Sequence, residues 1–315
     1  MSVALMIWYS DDMELKIGIK TSPMHVTYDE ICRVWQQADE MPEIADAWLW
    51  DHMMPLAGDR GGPALEGWTT LGALAARTSR LRMGLLVTSN RFRAPALLGK
   101  MASTVDVISG GRLIMGLGVG GTVQPAGAGG MPGENPGVME YAAYGIPLIS
   151  PREGVARLVE TVTILRRMWT EDVFDFAGPF TTLIGNRNAP KPVQPAGPPL
   201  LIGAWGDRML RVVAEHADIW NIPGPPHNSV ESLAERSRTL DRACEAVGRD
   251  PAEVERSVQL IVAGDGAAEA RETIAALAAV GFRHVVVGSR RMYQEGGMRW
   301  LAGEVIRPGC EVGVG

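Results

Sequence analysis

Residues 80–121 constrain this chain more than any other segment. They read as an apolar strand, Leu81-Arg-Met-Gly-Leu-Leu-Val87, a polar exit, Thr88-Ser89-Asn90, a helix over 94–109, and a second apolar strand over 113–117 that runs into Gly118-Val119-Gly120-Gly121. Two short apolar runs joined by one amphipathic helix form a buried parallel β-α-β unit. Such a sheet needs helices on its faces and further strands at its edges, so the unit demands repetition.

The rest of the chain repeats it. Residues 15–19 form a first strand, and a helix follows from Thr27, where Thr27 and Glu30 have capping-box spacing. A strand over 45–50 and a helix over 67–78 come next. Residues 122–150 break the rhythm with Pro125, Gly127, Gly129, Gly130, Pro132, Gly133, Pro136 and Gly137, too many breakers for a regular element. Two readings stand for this insertion, a lid and a disordered loop. Beyond it come a helix over 152–169, an edge hairpin over 173–180, and strands over 200–202, 217–220, 258–262 and 284–287. Helices over 207–216, 229–247, 267–280 and 299–306 alternate with those strands. Eight strand–helix repeats in order make an α/β fold, a (β/α)8 TIM barrel, in one domain over 15–315, with active residues at the C-terminal ends of the strands.

Composition narrows the function. The 315 residues, 46% hydrophobic, suffice for a large core, and the net charge of −6 comes from interspersed acids and bases rather than a basic stripe. Nucleic-acid binding is therefore not expected. Cys32, Cys244 and Cys310 are far apart and lack Cys-x-x-Cys spacing, which argues for a reducing, cytoplasmic setting and against a disulfide or zinc framework. Residues 1–14 read as an extension ahead of the first strand; they are apolar but meet Asp11-Asp12 without a basic leader, so neither a signal peptide nor a membrane span is expected.

The strand exits supply the candidate chemistry. Gly116-Leu-Gly118-Val119-Gly120-Gly121 contains the Gly-x-Gly-x-x-Gly pattern, but a Pro/Gly loop follows instead of a helix, so a dinucleotide fingerprint is declined. Its glycines either let backbone lie flat against a planar ring or simply make a tight turn. Gly203-Ala204-Trp205-Gly206-Asp207-Arg208 joins a strand to a helix N-terminus, a place suited to phosphate, although Asp207 as a cap and Arg208 facing solvent is the alternative. His52, beside Asp51, is the one histidine at a strand exit with an adjacent carboxylate, fit for proton transfer or for a structural bond. Trp50 reads as core or pocket wall, and Arg290-Arg291 as an anion clamp or a solvated pair. The histidines show no metal spacing. A barrel with a phosphate niche, a glycine wall and a lone histidine leaves the reactive chemistry to a cofactor.

Several stretches resemble the bacterial luciferase-like superfamily, and within it the oxidoreductases that use the deazaflavin coenzyme F420. They are Trp50-Asp-His52, Gly67-Trp-Thr-Thr-Leu-Gly-Ala-Leu-Ala-Ala-Arg-Thr78, Arg80-Leu-Arg-Met-Gly84 through Asn90, Met101-Ala-Ser-Thr-Val-Asp-Val-Ile-Ser-Gly-Gly-Arg112, Tyr144-Gly-Ile-Pro147, Pro190-Lys-Pro-Val-Gln194, and Pro199-Leu-Leu-Ile-Gly203 through Asp218. The resemblance implies a cofactor ring in the barrel mouth, with Asp51 and His52 as the catalytic pair. It implies a non-prolyl cis peptide behind the ring at Leu86-Val87 or the next bond, to Thr88. Gly118, Val119 and Gly120 would flank the ring, and Gly203 to Arg208 would bind phosphate. It implies F420 as cofactor, with FMN in an oxygen-using monooxygenase as the alternative and a non-catalytic flavin carrier as a second. A small-molecule substrate, contacted by Trp50, Arg290 and Arg291, and a homodimer complete the expectation. One departure stands out: related sugar-phosphate dehydrogenases carry a Glu where this chain has Gly120-Gly121-Thr122, which argues against a sugar phosphate.

Overall fold

A computed structural model of the protein describes residues 15–121, 136–224 and 229–307. Nine parallel strands wind in the order β3-β2-β1-β11-β10-β9-β8-β5-β4. They are β1 (Lys16–Thr21), β2 (Asp46–Leu49), β3 (Arg82–Leu85), β4 (Thr88–Ser89), β5 (Met115–Gly118), β8 (Leu200–Gly203), β9 (Ile219–Ile222), β10 (Glu255–Ile261) and β11 (His284–Gly288), with an antiparallel ribbon of β6 (Phe174–Ala177) and β7 (Thr182–Asn186) beside them. A cis peptide bond between Leu86 and Val87 separates β3 from β4, and a parallel bridge between Met83 and Leu113 closes the ring. All eight predicted barrel strands are therefore present, the third in two halves.

Side-chain alternation sorts each strand between two cores. From β1 and β3, Ile17, Ile19, Met83 and Leu85 join the outer core, together with Trp35 and Leu71 from the covering helices. Trp48, Leu86, Ile114, Leu201, Ile219 and Val286 fill the barrel interior. The helices are α1 (Tyr28–Asp39), α2 (Gly67–Ala75), α3 (Pro95–Ser109), α4 (Pro136–Ala143), α5 (Pro151–Thr170), α6 (Asp207–His216), α7 (Val230–Ala246), α8 (Ala267–Ala279) and α9 (Gly297–Trp300), the last continuing as a π-helical turn to Ile306. The Thr27/Glu30 capping box forms as read. None of the described helices is long and apolar enough to cross a membrane.

One expectation needs correcting. Residues 122–150 were to hold no regular element, yet α4 occupies 136–143, since a proline in the first turn of a helix forfeits no helical hydrogen bond. Residues 122–135 lie outside the described residues, as do 1–14, so the expectations for a lid and for an N-terminal extension fall there. Several of the stretches quoted above are scaffold. The Arg112 guanidinium donates to the carbonyls of Ala75, Thr78 and Leu81 at 2.8–2.9 Å. The buried Asp106 carboxylate accepts from Val193 N–H and Gln194 Nε2, both at 2.8 Å.

The lower end of the barrel is closed by a charge pair. His284 Nε2 lies 3.1 Å from Asp46, which also accepts from Trp48 Nε1 at 2.5 Å. Burial alone would raise the Asp46 carboxyl, but the His284 charge and these hydrogen bonds hold it below its ordinary range. Burial would likewise lower His284, and Asp46 raises it instead. The pair's stabilisation is thus complete between about pH 4 and about pH 6.5, the unfolded values. It is lost as pH rises through the raised His284 value, or falls through the lowered Asp46 value. Urea melts at about pH 6 should show Asp46→Ala less stable by roughly 3 kcal/mol, with a weaker decline of stability toward alkaline pH than wild type; a loss below about 1 kcal/mol would contradict the pair's role.

Candidate active site

The C-terminal ends of the strands surround a cavity of about 620 Å³. Trp50, Asp51 and His52 follow β2 into it, Leu86 and Val87 form one wall, and Gly118, Val119 and Gly120 lie beyond β5. Across the mouth stand Gly203, Ala204, Trp205 and Gly206, after β8. The sequence list therefore converges, with exceptions noted below. Asn221, the exit residue read after the sixth strand, also lines the cavity, as do Lys20, Gln259, Glu140 and Tyr141, which sequence reasoning did not select.

Asp51 and His52 point to different partners, as neighbours on an extended chain do. The Asp51 carboxylate is 3% exposed and takes both ends of the Arg93 guanidinium, at 2.7 and 2.9 Å. It also accepts from Thr88 Oγ1, which in turn accepts from Trp68 Nε1 at 3.0 Å. Arg93 is shared with Glu66, the side-chain cap of α2. With its oxygens committed to Arg93 and Thr88, Asp51 is a fixture of the mouth and does not pair with His52, beside which the resemblance implied it as catalytic, and Thr88 supports it from behind instead of lining the cavity. Arg93 carried no local sequence signal as Asp51's partner.

His52 turns the other way, to a carboxylate on α4. Its Nδ1 lies 2.7 Å from Glu140 Oε1, and Glu140 Oε2 accepts from Met53 N–H at 3.0 Å. Glu140 is 1% exposed, so the imidazole faces a buried carboxylate that fixes its orientation. The Trp50 ring packs edge-on against it, centroids 6.2 Å apart. Glu140 arrives on α4, from the stretch read as breaker-rich; Tyr141 beside it holds Ser89 Oγ at 2.6 Å.

The glycines at the exits of β5 and β8 make room for this chain's own residues. A Cβ on Gly118 would stand 2.6 Å from Val87 Cγ2, and one on Gly203 would stand 3.3 Å from both Val87 methyls. Val87 thus occupies the space that the ring-flattening reading left for a ligand, and Val87 itself forms that part of the cavity wall. At α6, the N-cap Gly206 brings no side-chain cap, and the N–H groups of Asp207 and Arg208 have no partner among the described residues. Asp207's carboxylate turns to Arg236 Nη1 at 2.7 Å, so neither Asp207 nor Arg208 lines the cavity.

Arg290 and Arg291 are elsewhere. They line a second cavity, at the exits of β10 and β11, with Asp265, Ser289 and Gln294, and Arg291 stacks on Trp300 at 4.3 Å. They follow β11 by sequence, but a short 3-10 turn carries them outward.

A model of the luciferase-like monooxygenase family matches residues 16–304. The chain belongs to that family. Among its luciferase-like relatives, the phthiodiolone/phenolphthiodiolone dimycocerosates ketoreductase of Mycobacterium sp. (strain JLS) is 32% identical over 63% of this chain and 48% of its own length. The F420-dependent glucose-6-phosphate dehydrogenase of Amycolatopsis mediterranei is 29% identical over 64% and 54%. The chain thus spans about half the length of these curated relatives. An F420-dependent secondary alcohol dehydrogenase, solved with an F420–acetone adduct, superposes with a TM-score of 0.79 at 16% identity, over 95% of this chain and 99% of its own. That likeness speaks for the fold.

The Asp51–Arg93 pair yields a stability prediction. Arg93→Leu strands a buried carboxylate and should cost roughly 3 to 5 kcal/mol in chemical denaturation, whereas the half-exposed Arg291→Leu should change little. Equal, small effects would contradict the assignment of Asp51 as a buried tie.

Proposed function

We propose that this chain is an F420-dependent oxidoreductase that exchanges a hydride between the deazaflavin and a small organic substrate in the barrel mouth. The observation that carries the reading is the His52–Glu140 dyad on the rim of a largely apolar cavity whose opposite side is an uncapped helix N-terminus. Relatives named as F420-dependent dehydrogenases support the choice of cofactor. The residues present fit such a group: the N–H groups at the start of α6 suit a phosphate, and Leu86, Val87, Ala204 and Met209 offer apolar surface to a flat ring. When bound, the deazaflavin supplies the two-electron hydride chemistry.

The protein's own part is proton handling and exclusion of water. Glu140 Oε1 accepts a hydrogen bond from the Nδ1–H of His52, which leaves Nε2 as the basic atom, and Nε2 has no partner among the described residues. In the alcohol-oxidising direction Nε2 receives the substrate hydroxyl proton; in reverse it returns that proton to the carbonyl oxygen. Asp51 and Thr88 hold the preceding backbone in place, and Trp50 limits the tilt of the imidazole. Cys32 and Cys244, unpaired among the described residues, suit work in the cytoplasm.

Anaerobic turnover of F420 with a panel of secondary alcohols, and of its reduced form with the matching ketones, tests the reading. His52→Ala should lower kcat by roughly 10² to 10⁴ while the cofactor Kd moves by less than about threefold, with Glu140→Gln between that variant and wild type. Unchanged kcat in His52→Ala would overturn the assigned role.

A further inference from the structure

The cavity holds a cation that the proton handling above does not use. Lys20 lies near the end of β1 and faces the barrel interior, 9% exposed. Its Nζ donates to Gln259 Oε1 and stands 4.7 Å from the centroid of the Trp50 ring. Gln259 is held in that orientation, because its Nε2 donates to Asn221 Oδ1 at 2.9 Å while Asn221 Nδ2 donates to Ser257 Oγ at 2.7 Å. The lysine's surroundings are therefore a neutral amide and a π face.

No carboxylate among the described residues forms an ion pair with Lys20. Two carboxylates line the same cavity, but each is already satisfied. Asp51 is taken by Arg93 and Thr88, and Glu140 by His52 and the Met53 N–H. Burial pushes the Lys20 ammonium down to about 8, which leaves it charged at neutral pH. A desolvated ammonium with three N–H groups and one conventional acceptor is an incomplete site, and the apolar wall around it strengthens attraction to any anion that enters.

Resting on the oxidoreductase reading, we propose that Lys20 sets substrate specificity: it receives a carboxylate, or another anionic oxygen, on the molecule that exchanges the hydride. The barrel order supports the substrate over the cofactor as the source of that anion. From β1 the sheet runs through β11, β10 and β9 to β8, half the way round, so Lys20 faces the α6 niche from across the mouth. The Trp50 ring touches both Lys20 and His52, so an anion on Lys20 sits on the same side as the proton-transfer group.

Benzoylformate and acetophenone, which share a phenyl ketone and differ by carboxylate against methyl, serve as probes. Calorimetric titration of the cofactor-free protein at neutral pH should give benzoylformate roughly tenfold or more tighter binding than acetophenone, an increment of about 1.4 kcal/mol. In Lys20→Met the preference should fall below about threefold while acetophenone affinity holds, and Lys20→Gln should behave alike. Equal affinity of the two probes for wild type, a result that needs no variant to fold, overturns the proposal. So does an undiminished benzoylformate preference in Lys20→Met. F420 titrated into the same samples separates the two readings. A Kd within about threefold of wild type in Lys20→Met supports substrate recognition. Loosening by tenfold or more, with the probe preference intact, would assign the lysine to the cofactor and overturn it. If F420 fails to bind wild type while the probe preference stands, the anion site survives and the F420 reading falls.

Discussion

The mouth of this barrel depends on one buried carboxylate. Asp51 brings a negative charge out of water at the end of β2, and only the bidentate Arg93 guanidinium and the Thr88 hydroxyl make that burial tolerable. Each partner comes from a different part of the chain: Thr88 opens β4 just past the Leu86–Val87 wall, and Arg93 precedes α3 while also holding Glu66 at the cap of α2. The network therefore fixes the position of residue 52 relative to the cavity wall. His52 has a defined place because Asp51 has no freedom to leave its own.

Around that anchor the cavity divides its labour by position. The exit of β8 and the uncapped start of α6 offer backbone N–H groups to an anion, while Val87, lying over Gly118 and Gly203, turns a polar strand end into an apolar surface. The His52–Glu140 dyad stands on the other side, buried on its acidic member and half-buried on its basic one. Lys20 completes that side with a positive charge held by neutral groups alone. On the proposed function, a site so arranged separates the binding of phosphate, the seating of a flat ring and the handling of a proton.

Sequence carried the scaffold well and the site unevenly, for a physical reason. Short continuous apolar runs, the capping box at Thr27 and the boundaries of α6 are local features, and each formed where the residues dictated. The third strand broke at Leu86–Val87, the first of the two bonds that the family resemblance left open for a cis peptide. Glu140 escaped notice because its value lies in a contact 88 positions distant, and the Pro/Gly-rich residues before α4 hid the helix that presents it. Lys20 lies just past the end of the first strand as read, and its burial there comes from the barrel closing around it. Arg290 and Arg291 show the converse error: proximity to a strand end in sequence did not bring them into the mouth, because the turn after β11 leads away from it.

If the mouth accepts a deazaflavin for hydride exchange, fluorescence titration of the purified protein with oxidised F420 and with FMN should give micromolar or tighter binding of F420, with FMN weaker by roughly tenfold or more. Tighter binding of FMN, with oxygen consumed in step with product, would contradict it.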